Sequence, residues 1–298
     1  MIIDAHNHPD WHQHDFNSFI KNMDDNNIDK TWLLSWETPY GEYDPYYNYV
    51  LSGPIMEGTA KTVPIPFTRC LAYKEKAPDR FILGYAPDPR RPDSITALKS
   101  AIDMYGVQVC GEIKLRALYD NPDFIEFFNF CGEAGVPVTL HFDYPDASMV
   151  SNPYLREYFR KNWWYGGSID NLERLLQACP NTKFLGHAPG FWCHISNDDL
   201  GLTQAIPKGP VIKGGKIEEF LQKYPNLYCD MSAGSGYFNL SRDLDYTYYL
   251  FNKYPDRFLY ARDYFDSRHQ ELIESLNLNK EVKELIYHGN AERLIKKL

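Results

Sequence analysis

The chain has 298 residues, of which 44% are hydrophobic, so it can bury a sizeable core in one domain or two. Its 40 acidic and 31 basic residues give a formal net charge of −9, which argues against nucleic acid or an anionic membrane as a partner. No apolar run approaches the roughly 18 residues of a membrane span, and no signal region is present, so the sequence predicts neither membrane insertion nor export.

The six cysteines lie far apart and form no C-x-x-C pair. This spacing indicates reduced, mostly buried thiols rather than a disulfide framework or a thiolate zinc site. We therefore expect a cytoplasmic protein.

Eight short apolar runs bounded by turn residues predict eight buried strands. In chain order they are Ile2–His8, Thr31–Trp36, Phe81–Ala86, Cys110–Leu115, Val136–Phe142, Lys183–Ala188, Leu227–Ser232 and Phe258–Asp263. Helical patterns lie between them at Asp15–Asn26, Ser94–Tyr105, Asp123–Glu133, Ile169–Ala178, Lys216–Lys223 and Asp243–Tyr254.

Several of these strands follow a helix that stops at glycine or proline, which is typical of a parallel sheet. Eight such units favour an α/β fold of the (β/α)8 TIM-barrel type over an open doubly wound sheet, with residues 1–298 as a single domain. No G-x-G-x-x-G motif supports a dinucleotide site. The long segments Glu37–Arg80, Asp143–Ser168 and Pro189–Gly215 are predicted to be βα-loop insertions that build the pocket.

Histidines and a carboxylate mark the ends of four predicted strands. His6 and His8 are spaced i, i+2, so on a strand both side chains point to one face. His141, His187 and Asp263 end the fifth, sixth and eighth strands. In a barrel these ends converge on one axis, and a donor set of histidine and carboxylate without cysteine suits zinc, or another divalent ion, in an open catalytic site.

Five segments carry a resemblance to a known family. They are residues 4–8 (DAHNH), 140–142 (LHF), 185–188 (LGHA), 260–264 (YARDY) and 289–294 (GNAERL). In order and spacing they resemble the amidohydrolase superfamily, specifically the amidohydrolase-2 branch that includes the aminocarboxymuconate-semialdehyde decarboxylase-like enzymes. The resemblance runs from the first strand to the last helix. It departs at the eighth strand, where the family often has Gly-Ser-Asp-Tyr-Pro and this chain has residues 261–265 (ARDYF).

The resemblance implies roles for the strand-end residues. His6, His8, His141 and Asp263 would bind a divalent metal, and His187 would bind the metal or orient the attacking water. Asp263 would also act as general base or acid, which makes Asp263 and His187 the catalytic candidates. One zinc ion is favoured and two are the alternative, while some members of the branch are metal-free.

The fourth strand leaves three interpretations open. Glu112 and Lys114 share one face, and Arg116 follows. Superfamily members with two metals use a carboxylated lysine or a glutamate here as the bridging ligand. Members of the amidohydrolase-2 branch keep Lys-Leu here with one metal, and Lys114 would then face an anionic group of the substrate. The third interpretation is a Glu112–Lys114 pair that only fills the barrel.

The leading functional hypothesis is a metal-dependent hydrolase acting on a small carbonyl compound such as an amide, lactone or ester. The alternatives are a nonoxidative decarboxylase or hydratase of the same branch and, more remotely, a metal-binding barrel without catalysis. A homo-oligomer is expected from the fold type, with Tyr40–Tyr49 and Tyr246–Phe251 as candidate contacts. Arg262 is interpreted as an outward-facing residue packing on a helix, and His269 and His288 as surface or helix-end residues.

Overall fold

The computed structural model describes residues 1–39, 42, 62–143, 164–198, 200, 204 and 206–295. In this part of the chain, eight strands overlap the eight predicted ones. They are β1 (Ile3–Asn7), β2 (Lys30–Leu33), β3 (Phe81–Leu83), β4 (Cys110–Ile113), β5 (Val138–His141), β6 (Phe184–His187), β7 (Leu227–Asp230) and β8 (Phe258–Leu259).

The eight strands close into a barrel of parallel neighbours. β1, β2 and β3 form one hydrogen-bonded sheet, and β4 to β8 form a second in chain order. A parallel bridge between Gly84 and Val109 joins the ends of these sheets on one side. On the other side the Ala5 N–H donates to the Tyr260 carbonyl at 3.0 Å. The predicted (β/α)8 TIM barrel is therefore confirmed.

Helices connect the strands, as a right-handed parallel barrel requires. Their bounds are Phe16–Asp25, Phe67–Lys76, Ser94–Tyr105, Pro122–Ala134, Ile169–Ala178, Pro189–Trp192, Lys216–Lys223, Ala233–Ser241, Leu244–Lys253, Arg268–Ser275, Lys280–Glu284 and Asn290–Leu294. Each of the six predicted helices has a counterpart here, and three of them have the predicted bounds. Two of these helices end in a left-handed glycine, as is common at helix C-termini: Gly106 follows Ser94–Tyr105, and Gly135 follows Pro122–Ala134.

The segment predicted as the first loop insertion contains regular structure that the sequence did not predict. Trp36–Pro39 pairs antiparallel with Thr62–Ile65, and the helix Phe67–Lys76 follows. The two hairpin strands are four residues each and lie far apart in sequence, so no local pattern announces their pairing. Of the second predicted insertion, Asp143–Ser168, residues 144–163 lie outside the described residues, as does nearly all of Tyr40–Tyr49. The third, Pro189–Gly215, is described except at residues 199, 201–203 and 205, and it begins with the short helix Pro189–Trp192 and a 3-10 turn at Cys193–Ile195.

Apolar packing occurs in two layers. An inner cluster fills the barrel and includes Ala5, Leu34, Ile82, Leu185 and Leu259. A larger outer cluster lies between the strands and the surrounding helices. The inner cluster forms an apolar floor beneath the polar residues at the carboxyl ends of the strands, and it shields them from water on that side.

Three further expectations concern the cysteines, Arg262 and membrane-spanning helices. All six cysteines are buried and free, as predicted. Arg262 is buried outside the barrel wall, where its Nε donates to Asp4 Oδ2 at 2.9 Å and its Nη1 to Asn22 Oδ1 at 2.8 Å. The outward interpretation of Arg262 is therefore confirmed. No helix among the described residues is long and apolar enough to cross a membrane.

Most side chains of the predicted contact segment Tyr246–Phe251 are buried or hydrogen-bonded within this chain. Tyr246 and Phe251 are buried, and the hydroxyls of Tyr246 and Tyr249 both donate to Glu218. Tyr248 is exposed. Most of the segment therefore packs in the fold rather than presenting a tyrosine-rich surface, and the homo-oligomer stays a prediction.

His269 lies at a helix end, as one of the two sequence-based alternatives had it, but it is not a surface residue. It is 1% exposed in the helix Arg268–Ser275, and neither ring nitrogen has a hydrogen-bond partner of normal geometry. Burial lowers its pKa to about 4, although the nearby Asp266 carboxylate and Met231 carbonyl favour the charged form. The ring is therefore neutral in the folded protein at neutral pH.

We expect His269 to make the fold sensitive to acid. The unfolded chain binds a proton at His269 near pH 6.5 and the folded chain only near pH 4, so stability falls as the pH drops through this window. The full effect corresponds to about 3 kcal/mol. Urea denaturation of wild type and His269→Leu at pH 7 and pH 4 would measure it. We expect the variant to lose less stability on acidification, and equal losses would contradict the assignment.

Candidate metal centre

Six of the predicted site residues meet at the carboxyl ends of the barrel strands. β1 contributes His6 and His8, β4 contributes Glu112, β5 contributes His141, β6 contributes His187, and Asp263 follows β8. Five of them are buried side chains, and the Asp263 side chain is 13% exposed. Residues up to 257 positions apart in sequence thus form one polar cluster above the apolar floor.

Four donor atoms surround one point on the β1 side of the cluster. The His6 and His8 Nε2 atoms are 3.3 Å apart, and Glu112 Oε2 lies 3.8 Å from the first and 3.3 Å from the second. Asp263 Oδ1 lies 3.9 Å and 3.6 Å from the same two nitrogens. A tetrahedral zinc ion with bonds of about 2.0–2.1 Å needs donors about 3.3–3.4 Å apart. The spacing therefore fits a divalent ion after small adjustments.

Glu112 also faces a second group of donors. Its other oxygen, Oε1, is 2.6 Å from His141 Nδ1 and 3.7 Å from His187 Nε2. Glu112 therefore belongs both to a triplet with His6 and His8 and to a triplet with His141 and His187. A third triplet contains His6, His187 and Asp263, while none of the three contains both His141 and Asp263.

Within the described part of the chain, two polar atoms of the cluster have no hydrogen-bond partner. They are His141 Nε2 and Asp263 Oδ1, and both are buried. A buried acceptor without a donor costs about 1–3 kcal/mol unless something compensates it. A cation among these side chains would compensate the Asp263 oxygen, so the residues fit a metal ion.

The orientation of the first two histidines depends on an irregularity in β1. Ala5 packs in the inner apolar cluster, so strict alternation would turn His6 outward. The register of β1 against β2 shifts between Asp4 and Asn7, and His6 reaches the cluster together with His8. His8 Nδ1 lies 2.8 Å from the Leu34 carbonyl, which makes that nitrogen the donor and leaves Nε2 with a free lone pair.

A similar irregularity brings Glu112 into the cluster. The register of β4 against β5 shifts between Cys110 and Ile113. A Cβ on Gly111 would lie 3.0 Å from the Thr139 Cβ, so any larger residue at this position would require Thr139 to shift by a few tenths of an ångström. The Glu112 N–H donates to the Ser35 carbonyl at 2.6 Å, which holds the residue in place.

Four residues of the cluster have pKa values shifted in different directions. Burial lowers the pKa of His6, but the Asp230 carboxylate outweighs this and raises it to about 10. Burial keeps the pKa of His187 well below its ordinary value. Burial also works against ionisation of Glu112, yet Lys114 and His141 hold its pKa well below the ordinary range. Burial raises the pKa of Asp263, against the lowering effect of His6 and His8.

The backbone holds Asp263 firmly. Its φ of 55° lies in the left-handed region, which aspartate tolerates better than most residues. Its N–H donates to the His6 carbonyl at 2.8 Å, and Trp11 Nε1 donates to its carbonyl at 2.7 Å. Strain of this kind is characteristic of functional sites, where the surrounding structure maintains it.

Lys114 and Arg116, the other two candidates at the fourth predicted strand, are not among the donor residues. Lys114 is buried, with its Nζ 4.2 Å from the centre of the Trp36 ring and 5.7 Å from that of Tyr165. The charge of Lys114 acts on both Glu112 and Asp263, which places it beside the cluster. Arg116 is half-buried, and its Nε has no hydrogen-bond partner among the residues that the structure describes.

Sequence reasoning did not identify three polar residues at the cluster. Asp230 and Ser232 extend from the end of β7, and Asp143 follows β5 with its Oδ2 3.9 Å from His141 Nε2. The signal was present for Asp230, which ends a strand of apolar residues as the other site residues do. The site histidines lie on three strands, β1, β5 and β6, and β7 carries no histidine to draw attention to it.

Solved structures similar to this one were compared with it. A TIM-barrel protein from Bordetella bronchiseptica matches with a TM-score of 0.63 and 15% identity, over 98% of this chain and 97% of that one. A structure assigned as an amidohydrolase from Staphylococcus aureus matches with a TM-score of 0.60 and 14% identity, over 99% of each chain. The chain has the same barrel fold as these two proteins. This confirms the family resemblance at the level of the fold.

A third similar structure contains ligands. It is a dihydroxybenzoic acid decarboxylase from a Polaromonas species with bound manganese and the inhibitor 2-nitroresorcinol, and it has a TM-score of 0.53 and 18% identity over 93% of this chain and 84% of that one. No protein-family model and no curated protein matches the sequence.

Proposed function

We propose that the protein is a metal-dependent hydrolase of the amidohydrolase type that acts on a small carbonyl compound. The observation that carries this proposal is the set of donor atoms from His6, His8, Glu112 and Asp263, spaced 3.3–3.9 Å apart where measured. The proposed ion is zinc. A divalent ion bound there supplies a water of lowered pKa and polarises a carbonyl oxygen.

The proposal ranks Glu112 higher as a ligand than the sequence did. His6, His8, Glu112 and Asp263 would hold one ion, and His187 and His141 would line its other side. Glu112 presents one oxygen to each group of histidines, and this supports the alternative in which it would bridge the ions of a two-ion centre. The stoichiometry of bound metal decides between these arrangements.

We assign proton transfer to Asp263 and substrate orientation to Lys114. The raised pKa of Asp263 suits a carboxylate that takes a proton from water and passes it to the leaving group. Lys114 is a buried cation between two aromatic rings at the edge of the cluster. It would orient a substrate that carries a carboxylate, which makes the expected substrate a small anionic amide, lactone or ester.

A decarboxylase of the same type is the second candidate. The observation that favours it is again Lys114, because a buried ammonium beside a metal site can hold the carboxylate that leaves as carbon dioxide. The similar decarboxylase with bound manganese shows that this barrel carries such chemistry in another protein. The products distinguish the two reactions, since only the decarboxylase releases carbon dioxide.

Metal analysis of the purified protein tests the proposal. We expect about one equivalent of zinc per chain, loss of activity on chelation, and recovery when zinc or manganese is added back. Two equivalents would assign the bridging role to Glu112. Full activity without bound metal would contradict the mechanism.

Substrate screening identifies the reaction. A panel of small amides, lactones and esters with and without a carboxylate would be assayed by acid release, and a panel of aromatic carboxylic acids by carbon dioxide release. Turnover of the first panel supports the hydrolase. Turnover of the second alone would replace it by the decarboxylase.

A further inference from the structure

The end of β7 contacts two histidines of the proposed metal site from behind: His6, a proposed ligand, and His187, which lines the site. Asp230 is fully buried, and its Oδ2 lies 2.6 Å from His6 Nδ1. Ser232 is also fully buried, and its Oγ lies 2.9 Å from His187 Nδ1. Both contacts are made to the Nδ1 side of the ring, away from the nitrogens that face the cluster.

We propose that Asp230 and Ser232 are positioning residues that orient His6 and His187 and thereby set the affinity of the metal site. This inference rests on the proposed metal site. It adds that β7, which carries no proposed ligand of its own, orients one site histidine on the adjacent β6 and one on β1, two strands away.

The contact with Asp230 determines which ring nitrogen of His6 carries the proton. A carboxylate can only accept a hydrogen bond, so the 2.6 Å contact with Asp230 requires the proton of His6 to be on Nδ1. His6 Nε2 is then the atom directed toward His8 Nε2 and Glu112 Oε2. A carboxylate behind a ligand histidine also makes the other nitrogen a better electron donor to a metal.

Asp230 is itself held in place by hydrogen bonds. Its Oδ1 accepts the Ser232 N–H at 2.9 Å, and its carbonyl accepts Trp192 Nε1 at 2.9 Å. Its backbone is paired in register with Leu259 of β8. The carboxylate is therefore held on both sides, and its hydrogen bond determines the direction of the His6 ring.

Ser232 lies close to both histidines. Its hydroxyl is 2.9 Å from His187 Nδ1 and 3.4 Å from His6 Nδ1. With His187 Nδ1 as the donor, Nε2 is unprotonated and faces Glu112 Oε1 at 3.7 Å. The contact is neutral, so its effect should be smaller than that of the Asp230 carboxylate.

Metal affinity measured by competition with a chromophoric zinc chelator tests the inference. We expect Asp230→Ala to weaken zinc binding by about 10- to 100-fold. Asp230→Asn keeps the shape and an acceptor oxygen but loses the charge, so we expect about a tenfold loss. Ser232→Ala should weaken binding by about two- to tenfold. Cobalt-substituted Asp230 variants should also show a shifted d–d absorption spectrum, which reports ligand geometry independently of turnover.

Asp88→Asn is the matched control. Asp88 is a buried carboxylate outside the three donor triplets, and it accepts hydrogen bonds from the Arg90 guanidinium, with Oδ2 2.7 Å from Arg90 Nη2. This variant should unfold at a lower temperature while the folded protein binds zinc as wild type does. If Asp230→Ala does not fold, the isosteric Asp230→Asn decides the question.

The outcomes separate this inference from the proposed function. Wild-type zinc affinity and an unchanged cobalt spectrum in Asp230→Asn would overturn the positioning role and leave the metal site intact. A wild-type protein that binds neither zinc nor cobalt would overturn the proposed function itself, and the inference with it.

Discussion

Replacing Asp263 by asparagine is expected to lower kcat by about 10²- to 10⁴-fold with a much smaller change in KM. Asparagine keeps the size of the side chain and an oxygen at the position of Oδ1, so the variant can still contact the site. It cannot accept a proton, which removes the proposed transfer from water to the leaving group. Steady-state kinetics on the substrate found by screening, at saturating zinc, would measure the split between kcat and KM.

Asp266→Asn is the control for this experiment. Asp266 lies three residues further along and pairs with Arg268, which places its carboxylate outside the donor cluster. It should retain the activity of wild type. Because Asp263 is also a proposed ligand, metal content is measured for each preparation. An Asp263→Asn variant with full metal and unchanged turnover would exclude the proton-transfer role.

Replacing Glu112 by glutamine is expected to reduce metal affinity by at least about tenfold and to abolish most activity. Glu112 is the residue whose two oxygens face both groups of histidines, at 3.3 Å from His8 Nε2 and 2.6 Å from His141 Nδ1. Glutamine removes the negative charge and places an amide N–H₂ against one of these nitrogens. The buried Lys114 ammonium then loses a neighbouring anion, which further disfavours a cation in the site.

Metal content and zinc affinity of Glu112→Gln would be compared with those of Glu218→Gln. Glu218 is a partly buried glutamate that binds Tyr246, Tyr249 and Lys253 on the outer helices, so its replacement should leave zinc binding unchanged. Equal zinc affinity in wild type and Glu112→Gln would mean that Glu112 only fills the barrel. That result would restore the interpretation of Glu112 and Lys114 as an internal pair.

Most of the fold follows from local patterns in the sequence. Each barrel strand is buried on both faces, so it appears as a short continuous apolar run, and the glycine or proline after the preceding helix marks where it begins. The hairpin of Trp36–Pro39 with Thr62–Ile65 was missed because its pairing spans a long separation and its strands are short. His269 was missed because one histidine in a helix carries no sign of its burial.

The candidate site was predictable in part for the same reason. Histidines and an aspartate where buried runs end are unusual enough to be noticed, and the barrel topology implies that these ends converge. Asp230 stands in the same kind of position, but a single carboxylate after an apolar strand does not reveal that it will face His6. Its role became visible only when β7 was placed two strands from β1 in the closed barrel.

By itself, the sequence determined the order of strands and helices, the barrel class and the residue types that can bind a metal, because these depend on burial pattern and spacing along the chain. Only the tertiary structure decided how those residues are directed. The register of β1 shifts near His6 and that of β4 shifts near Glu112, and both side chains reach the cluster. For His6, strict alternation from the inward Ala5 would have turned the ring outward. Such shifts arise from contacts between strands distant in sequence, so the pair His6 and His8 indicated a metal site without identifying Glu112 or Asp230 as its partners.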